Sequence, residues 1–230
     1  MSAMKLSIII PVYNEERTLD EIITRVEQVP FPIAHELVIV DDGSTDKTPE
    51  LLKKYTQHAI FFHEKNRGKG AAIRTGLLHA TGDYIVIQDG DLEYDPRDLA
   101  TMVEHMMTHD LRVLYGSRRM KKGNIQHSGI AFFLGGWVLT IFTNLLFRQE
   151  LTDEPTCYKM FRRDFIQAMP LRCERFEFCP EVTAHAALQG ELIQEIPISY
   201  APRGKSEGKK IRAKDFFEAV WTLLRVRVGK

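Results

Sequence analysis

The chain has no C-x-x-C pair, and its three cysteines, Cys157, Cys173 and Cys179, are an odd number spread over 230 residues. That argues against a disulfide framework and for a reducing compartment. No basic leader with an apolar h-region opens it, since the first apolar run, Leu6 to Val12, is short and leads into charged residues. A cytoplasmic protein is therefore expected. Neither G-x-x-x-x-G-K-[ST] nor G-x-G-x-x-G occurs, so a Walker loop and a dinucleotide fingerprint are excluded. Zinc-finger spacing, a ribonucleoprotein strand and a helix-turn-helix cue are missing too, and no nucleic-acid partner is expected. His105 and His109 stand four apart without a third ligand nearby and read as a solvated helix face.

Net charge is absent only in sum. Residues 1–50 hold four Lys/Arg against ten Asp/Glu, whereas residues 203–230 hold nine against three. The stretch 112–123 adds Arg112, Arg118, Arg119, Lys121 and Lys122 with no acid. Such asymmetry points to an anionic partner at the basic end.

What is present is alternation. Residues 5–12 read as a buried strand, and 16–28 repeat Leu19, Ile22, Ile23 and Val26 at helical spacing. Strands are expected at 37–40, 59–62, 84–88 and 113–115, separated by helices at 48–55 (Ser44 and Asp46 as cap candidates), 70–80 and, opened by Asp95-Pro96, to about Met107. Five alternations predict an α/β fold on a doubly wound, mostly parallel central sheet. Past residue 116 come a basic loop, an apolar run, a mixed segment, a loop at 201–210 and an amphipathic helix from Asp215 to about Val226. No linker or repeat interrupts this. The expectation is one domain, 1–230, with about 1–116 binding a nucleotide and about 117–230 shaping an acceptor site.

Asp89, Gly90 and Asp91 directly follow the apolar run 84–88, at the strand end where such a sheet binds ligands. Two carboxylates at that spacing suit a hard divalent cation gripping a diphosphate, or are ordinary solvated turn residues. Two other strand ends close in polar clusters, at 11–15 and 40–44, and Asn66-Arg67-Gly68-Lys69-Gly70 sets two cations and two glycines at a helix start.

PVYNE at 11–15, VDDGS at 40–44, NRGKGAA at 66–72, DGD at 89–91, GSR at 116–118, LTDEPTCYK at 151–159 and FCPEV at 178–182 together resemble the polyprenyl-phosphate sugar synthases of glycosyltransferase family two. Dolichyl-phosphate mannose and glucose synthases are the type members, and the similarity runs over roughly residues 5 to 225. The resemblance implies a GT-A fold and inverting transfer of one sugar from a nucleotide-diphosphate sugar to a polyprenyl (dolichyl or undecaprenyl) phosphate at the cytosolic membrane face. It implies a nucleoside pocket of Pro11, Tyr13, Glu15, Val40 and Asp42, with Lys69 and Gly90 joining the donor-binding set. Asp89 and Asp91 would hold Mg²⁺ or Mn²⁺. Glu93, where mannose synthases often have Gln, is added as a metal carboxylate. Arg118, Arg203 and Lys209 are candidates to hold the two anions together, because arginine forks match phosphate oxygens. Asp153 is assigned to positioning the sugar or acceptor, with Glu181 in a similar role. Mannose synthases also place an arginine on the acceptor helix, where this chain has Gln126, His127 and Ser128. The LTDEPTCYK and EGKK wording favours UDP over GDP, and oligomeric state stays open.

Residues 130–147 carry no charge for eighteen positions. At ~1.5 Å per residue the run is about 27 Å long, just under a hydrocarbon core of ~30 Å. Three readings stand, in order: an interfacial helix, a core helix and a spanning helix. Gly136, Thr140, Thr143 and Asn144 fall on one stripe, and upstream basic residues suit an anionic lipid surface. Peripheral membrane contact is the expectation. The alternative function is a family-two transferase acting on a saccharide hydroxyl, which needs a true base such as Asp153 or Glu181. A signalling receiver built on Asp41-Asp42 fails, because receivers place the acidic pair after the first strand.

Overall fold

The structure, a computed structural model, describes residues 4–124, 130–202 and 213–229. Its strands are β1 (Lys5–Val12), β2 (Ala34–Asp41), β3 (Ala59–Phe62), β4 (Tyr84–Ile87), β5 (Val113–Ser117), β6 (Lys159–Arg162) and β7 (Gln194–Pro197). They form one sheet in the order β3-β2-β1-β4-β6-β5-β7. Helices α1 (Leu19–Glu27), α2 (Thr48–Leu52), α3 (Lys69–His79), α4 (Arg97–Thr108), α5 (Ile130–Phe147), α6 (Arg163–Gln167), α7 (Phe178–Leu188) and α8 (Ala213–Arg227) accompany it.

The central strands are apolar on both faces because both faces are covered. Leu6, Ile8, Ile9 and Ile10 of β1, and Ile85 and Val86 of β4, have no exposed surface. That is why they read as continuous runs rather than alternations. Helix α1 buries Leu19, Ile22, Ile23 and Val26, the stripe expected from spacing. Asp46 and Asp95 each accept a backbone N–H at a helix start, from Thr48 (2.9 Å) and Arg97 (3.0 Å). Ser44 does not cap; its hydroxyl lies against Asp41 and accepts the Asn14 N–H at 2.8 Å.

Two strands were not expected, and one changes the topology. β6 is antiparallel to both β4 and β5 and lies between them, so β5 is not the neighbour of β4. Its four residues, Lys-Met-Phe-Arg, are few and show no alternation. β7 extends the sheet beyond β5 in parallel. Strands from before and after residue 116 therefore share one sheet.

Candidate active site

β1 pairs with β2 on one side and β4 on the other, all parallel, so the carboxyl ends of these three strands lie side by side. Strand order reverses between β1 and β4, which is where an open α/β sheet forms its crevice. The three polar clusters meet there. Thr18 Oγ1 lies 3.0 Å from Glu15 Oε2 and 2.9 Å from the Gly90 carbonyl, joining the β1 end to the Asp89–Asp91 loop. A Cβ at Gly90 would come within 2.9 Å of Val12 Cγ1, so only glycine lets that loop lie so close to β1. Pro11 and Val40 are register partners. Val40 is wholly buried and forms floor rather than contact surface.

Asp42 does something other than face a nucleoside. Its buried carboxylate accepts from His63 Nδ1 (2.7 Å), Asn66 Nδ2 (2.9 Å), Arg67 N (2.9 Å) and Gly68 N (2.7 Å). Four donors fill what a carboxylate can accept, so Asp42 acts by folding the 66–68 turn. That turn delivers Lys69 at the first position of α3. Gly68 has φ +108°, and a Cβ there would stand 2.3 Å from the Glu174 carbonyl oxygen, so both conformation and space demand glycine.

Lys69 pairs with Asp89, and its ammonium lies 3.7 Å from Cys157 Sγ. Burial opposes its charge, yet the Asp89 carboxylate outweighs burial and holds its pKa well above the ordinary value. Asp91 Oδ1 accepts the Glu93 N–H at 3.1 Å. Glu93, expected as a third metal carboxylate, accepts the Tyr200 hydroxyl at 2.9 Å through Oε2. Among the described residues no group of three or more His, Cys, Asp or Glu could hold a metal. Asp89 and Asp91 remain the candidate donors, two hard carboxylates on one loop. This fits Mg²⁺ or Mn²⁺, cations that bind few protein oxygens and take other ligands from phosphate and water.

The antiparallel run of β6 lays the preceding segment across the end of β5, bringing Asp153 to Arg118. Asp153, fully buried, accepts from Arg118 N (2.9 Å), Nε (2.7 Å) and Nη2 (2.6 Å). Burial raises its pKa, but the Arg118 charge and hydrogen bonds prevail and hold it below the usual carboxylate range. The Arg118 guanidinium also lies 5.1 Å from the Tyr200 ring centroid. Glu181 is committed elsewhere. Buried on α7, it accepts the backbone N–H groups of Arg172 (3.0 Å) and Cys173 (2.9 Å), bracing the loop against which Gly68 and Gly70 pack. Arg203 and Lys209, with Gln126, His127 and Ser128, lie outside the described residues.

Sequence reasoning missed a buried pair behind the site. Lys159 and Glu154 have no exposed surface, and the Lys159 ammonium donates to the Glu154 carbonyl at 2.7 Å and stands 3.7 Å from the Tyr115 ring centroid. Two opposite charges within LTDEPTCYK were the available signal. Tyr200 left none.

On α5 the inner side buries Leu139, Thr140, Thr143 and Phe147, while Leu134, Trp137, Val138, Ile141 and Leu145 are exposed. Neighbouring α8 exposes Phe217, Trp221 and Leu224, with Val228 exposed just past its end, and the two helices share a small apolar cluster. Among the described residues no helix is long and apolar enough to cross a membrane.

Residues 7–169 match the family model described as glycosyl transferase family 2. The dodecaprenyl-phosphate galacturonate synthase of Rhizobium johnstonii is 29% identical over 88% of this chain and 61% of its own length. The dolichol-phosphate mannosyltransferase of Pyrococcus furiosus is 26% identical over 97% of this chain and 64% of its own. The chain thus spans about three fifths of the length of these relatives. Glucosyl-3-phosphoglycerate synthase from Mycobacterium tuberculosis, solved with Mn²⁺, UDP-glucose and phosphoglyceric acid, superposes with a TM-score of 0.76 at 18% identity, covering 98% of this chain and 80% of that one. The shared architecture is the GT-A fold.

Proposed function

The chain belongs to glycosyltransferase family 2, and we propose that it moves one sugar, with inversion, from a nucleotide-diphosphate sugar to the phosphate of a polyprenyl phosphate. The observation that carries this reading is the state of Asp153. A hydroxyl acceptor needs a base that takes up its proton, whereas the Asp153 oxygens already accept three Arg118 N–H groups, which hold its pKa below the usual carboxylate range and make it a poor proton acceptor, and Glu181 is spent on backbone N–H groups. A phosphate monoester with a second pKa of about 6 is already a nucleophilic anion near neutral pH. It needs cations, not a base.

In this reading Pro11, Tyr13, Glu15 and the Val40 floor bound the nucleoside, and Asp42 contributes through the 66–68 turn. A UDP donor is favoured over GDP. Asp89 and Asp91 would hold Mg²⁺ or Mn²⁺, which when bound supplies charge neutralisation for the departing diphosphate. Lys69 offsets the charge of Asp89, so a diphosphate approaches a less negative loop. Glu93 steadies Tyr200 beside Arg118. Arg118, kept rigid by Asp153, presents its remaining N–H groups to phosphate oxygens, with Arg203 and Lys209 as further cations. The exposed faces of α5 and α8 rest on the cytosolic membrane surface, where a lipid acceptor resides.

The test is nucleotide release from UDP- and GDP-sugars with Mg²⁺ or Mn²⁺, with and without a short polyprenyl phosphate in detergent. Turnover that requires the lipid phosphate is expected, and turnover only with a saccharide would refute the reading. Asp91→Ala is expected to lower turnover by about 10²–10³-fold, the scale for one electrostatic group at a developing charge, with an unchanged circular dichroism spectrum.

A further inference from the structure

β7 runs parallel to β5, and its Glu195 is the register partner of Tyr115 on the strand that ends just before Arg118. The half-buried Glu195 carboxylate takes three donors from one short loop. Thr152 N (2.6 Å) and Thr152 Oγ1 (2.8 Å) donate to Oε2, and Asp153 N (3.0 Å) donates to Oε1. The same loop is tied back to β5, because Thr152 Oγ1 also lies 2.6 Å from Ser117 Oγ. Asp153 then grips Arg118 with both carboxylate oxygens. One carboxylate thus fixes the backbone of the residue whose own carboxylate fixes the arginine.

Stability does not account for this arrangement. Burial outweighs the three donors, the Asp153 carboxylate adds to it, and the Glu195 pKa is raised. An acid whose folded pKa exceeds its unfolded value of about 4.3 loses stability for the fold as pH rises from there through the folded value, and the loss persists above it. A charge kept at such a cost, with both its oxygens aimed at the segment that carries Asp153, belongs to the site rather than to the scaffold.

We propose that Glu195 is a positioning residue for the transfer, acting through the backbone of Thr152 and Asp153 to set the angle at which Arg118 presents its remaining N–H groups. Displacing such a group by about 1 Å costs ~10²-fold in rate, and a two-oxygen anchor on consecutive residues is what holds an irregular loop within that tolerance. The kinetic part of this role rests on the function proposed above for Arg118. The geometric part does not.

The first measurement therefore needs no substrate. In protein carrying ¹⁵N-labelled arginine, the Arg118 Nε–H signal, assigned by its loss in Arg118→Lys, reports the 2.7 Å bond to Asp153 Oδ2. Glu195→Gln keeps the side chain's shape but turns an amide NH₂ toward donors, and it is expected to speed exchange of that proton by about 10-fold or more, the scale of one charge-assisted hydrogen bond. Thr152→Val, at an exposed position, removes a single donor and is expected to act in the same direction, more weakly. Unchanged exchange in Glu195→Gln overturns the inference, as does unchanged exchange in Thr152→Val where the Gln variant fails to fold. With polyprenyl phosphate as acceptor, Glu195→Gln is expected to lower kcat by about 10²-fold. The KM for the nucleotide sugar should move by no more than about 2-fold, because the donor site stands on β1, β2 and β4. On an Arg118→Ala background the same change is expected to cost no more than about 2-fold further, since residues that act as a unit are not additive. Full multiplication of the two losses overturns the inference. Absence of turnover with polyprenyl phosphate in the wild type refutes the proposed function alone, because proton exchange still judges Glu195.

Discussion

Lys159 shows how a single buried charge supports a site it never touches. Its ammonium is satisfied by the Glu154 carbonyl at 2.7 Å and Thr183 Oγ1 at 3.1 Å, and the Glu154 carboxylate is 3.7 Å away. Glu154 Oε2 is buried without a partner among the described residues, and burial, only partly countered by Lys159, raises the Glu154 pKa. Lys159→Met should therefore destabilise the fold by about 3–5 kcal/mol at neutral pH, as removal of one member of a buried pair does. The sign of its pH dependence follows from Glu154. Without Lys159 the carboxylate is neutral more readily folded than unfolded, so the penalty applies above the unfolded pKa of about 4.3 and shrinks below it. Urea midpoints for Lys159→Met at pH 7 and pH 4 check this, and adding Glu154→Gln should restore part of the loss.

Two helices carry the membrane argument. α5 has an inward stripe containing Thr140 and Thr143, whose hydroxyls return to the carbonyls of Gly136 and Leu139; this makes a polar stripe compatible with burial. Its outward face, with that of α8, leaves several large apolar side chains exposed, and a large exposed apolar patch marks an interaction surface. Leu145 is 79% exposed and Trp221 66%. Replacing both with Glu should cut co-flotation with anionic vesicles by about 10-fold or more, since burying each such side chain is worth roughly 1.5–3 kcal/mol. Stability should change by no more than about 0.5 kcal/mol, as usual for surface positions. Unaltered flotation would make that face an interface for something other than lipid.

Across the whole molecule the sheet separates chemistry from fastening. The carboxyl ends of β1, β2 and β4 carry the site, and at the opposite ends Glu36 ties the strands together. Its carboxylate pairs with Lys5 at 2.5 Å, accepts Ser7 Oγ at 2.5 Å and accepts Thr81 N at 2.8 Å. Burial raises its pKa, but those bonds prevail and bring it to about 2. A depressed folded pKa contributes stability that is present above the unfolded value and lost as pH falls from there through about 2. Denaturant midpoints should thus drop between about pH 4.3 and pH 2, and Glu36→Gln should be less stable at pH 7 with a flatter profile in that window.

Much of this was legible in one dimension because it is periodic or local. The α1 stripe, the doubly buried β1 and β4, and the polar strand ends each recur at spacings that the backbone imposes, and parallel strands necessarily align their carboxyl ends. Pairings between distant residues have no such spacing. That Asp153 is consumed by Arg118, that Asp42 folds the 66–68 turn and that Glu93 meets Tyr200 all depend on one four-residue antiparallel strand and on loops that obey no period. The chain by itself determined the class of sheet, the edge where chemistry gathers and the residue types assembled there. Which carboxylate stays available was decided only by tertiary structure, because that property belongs to distances between side chains rather than to any segment.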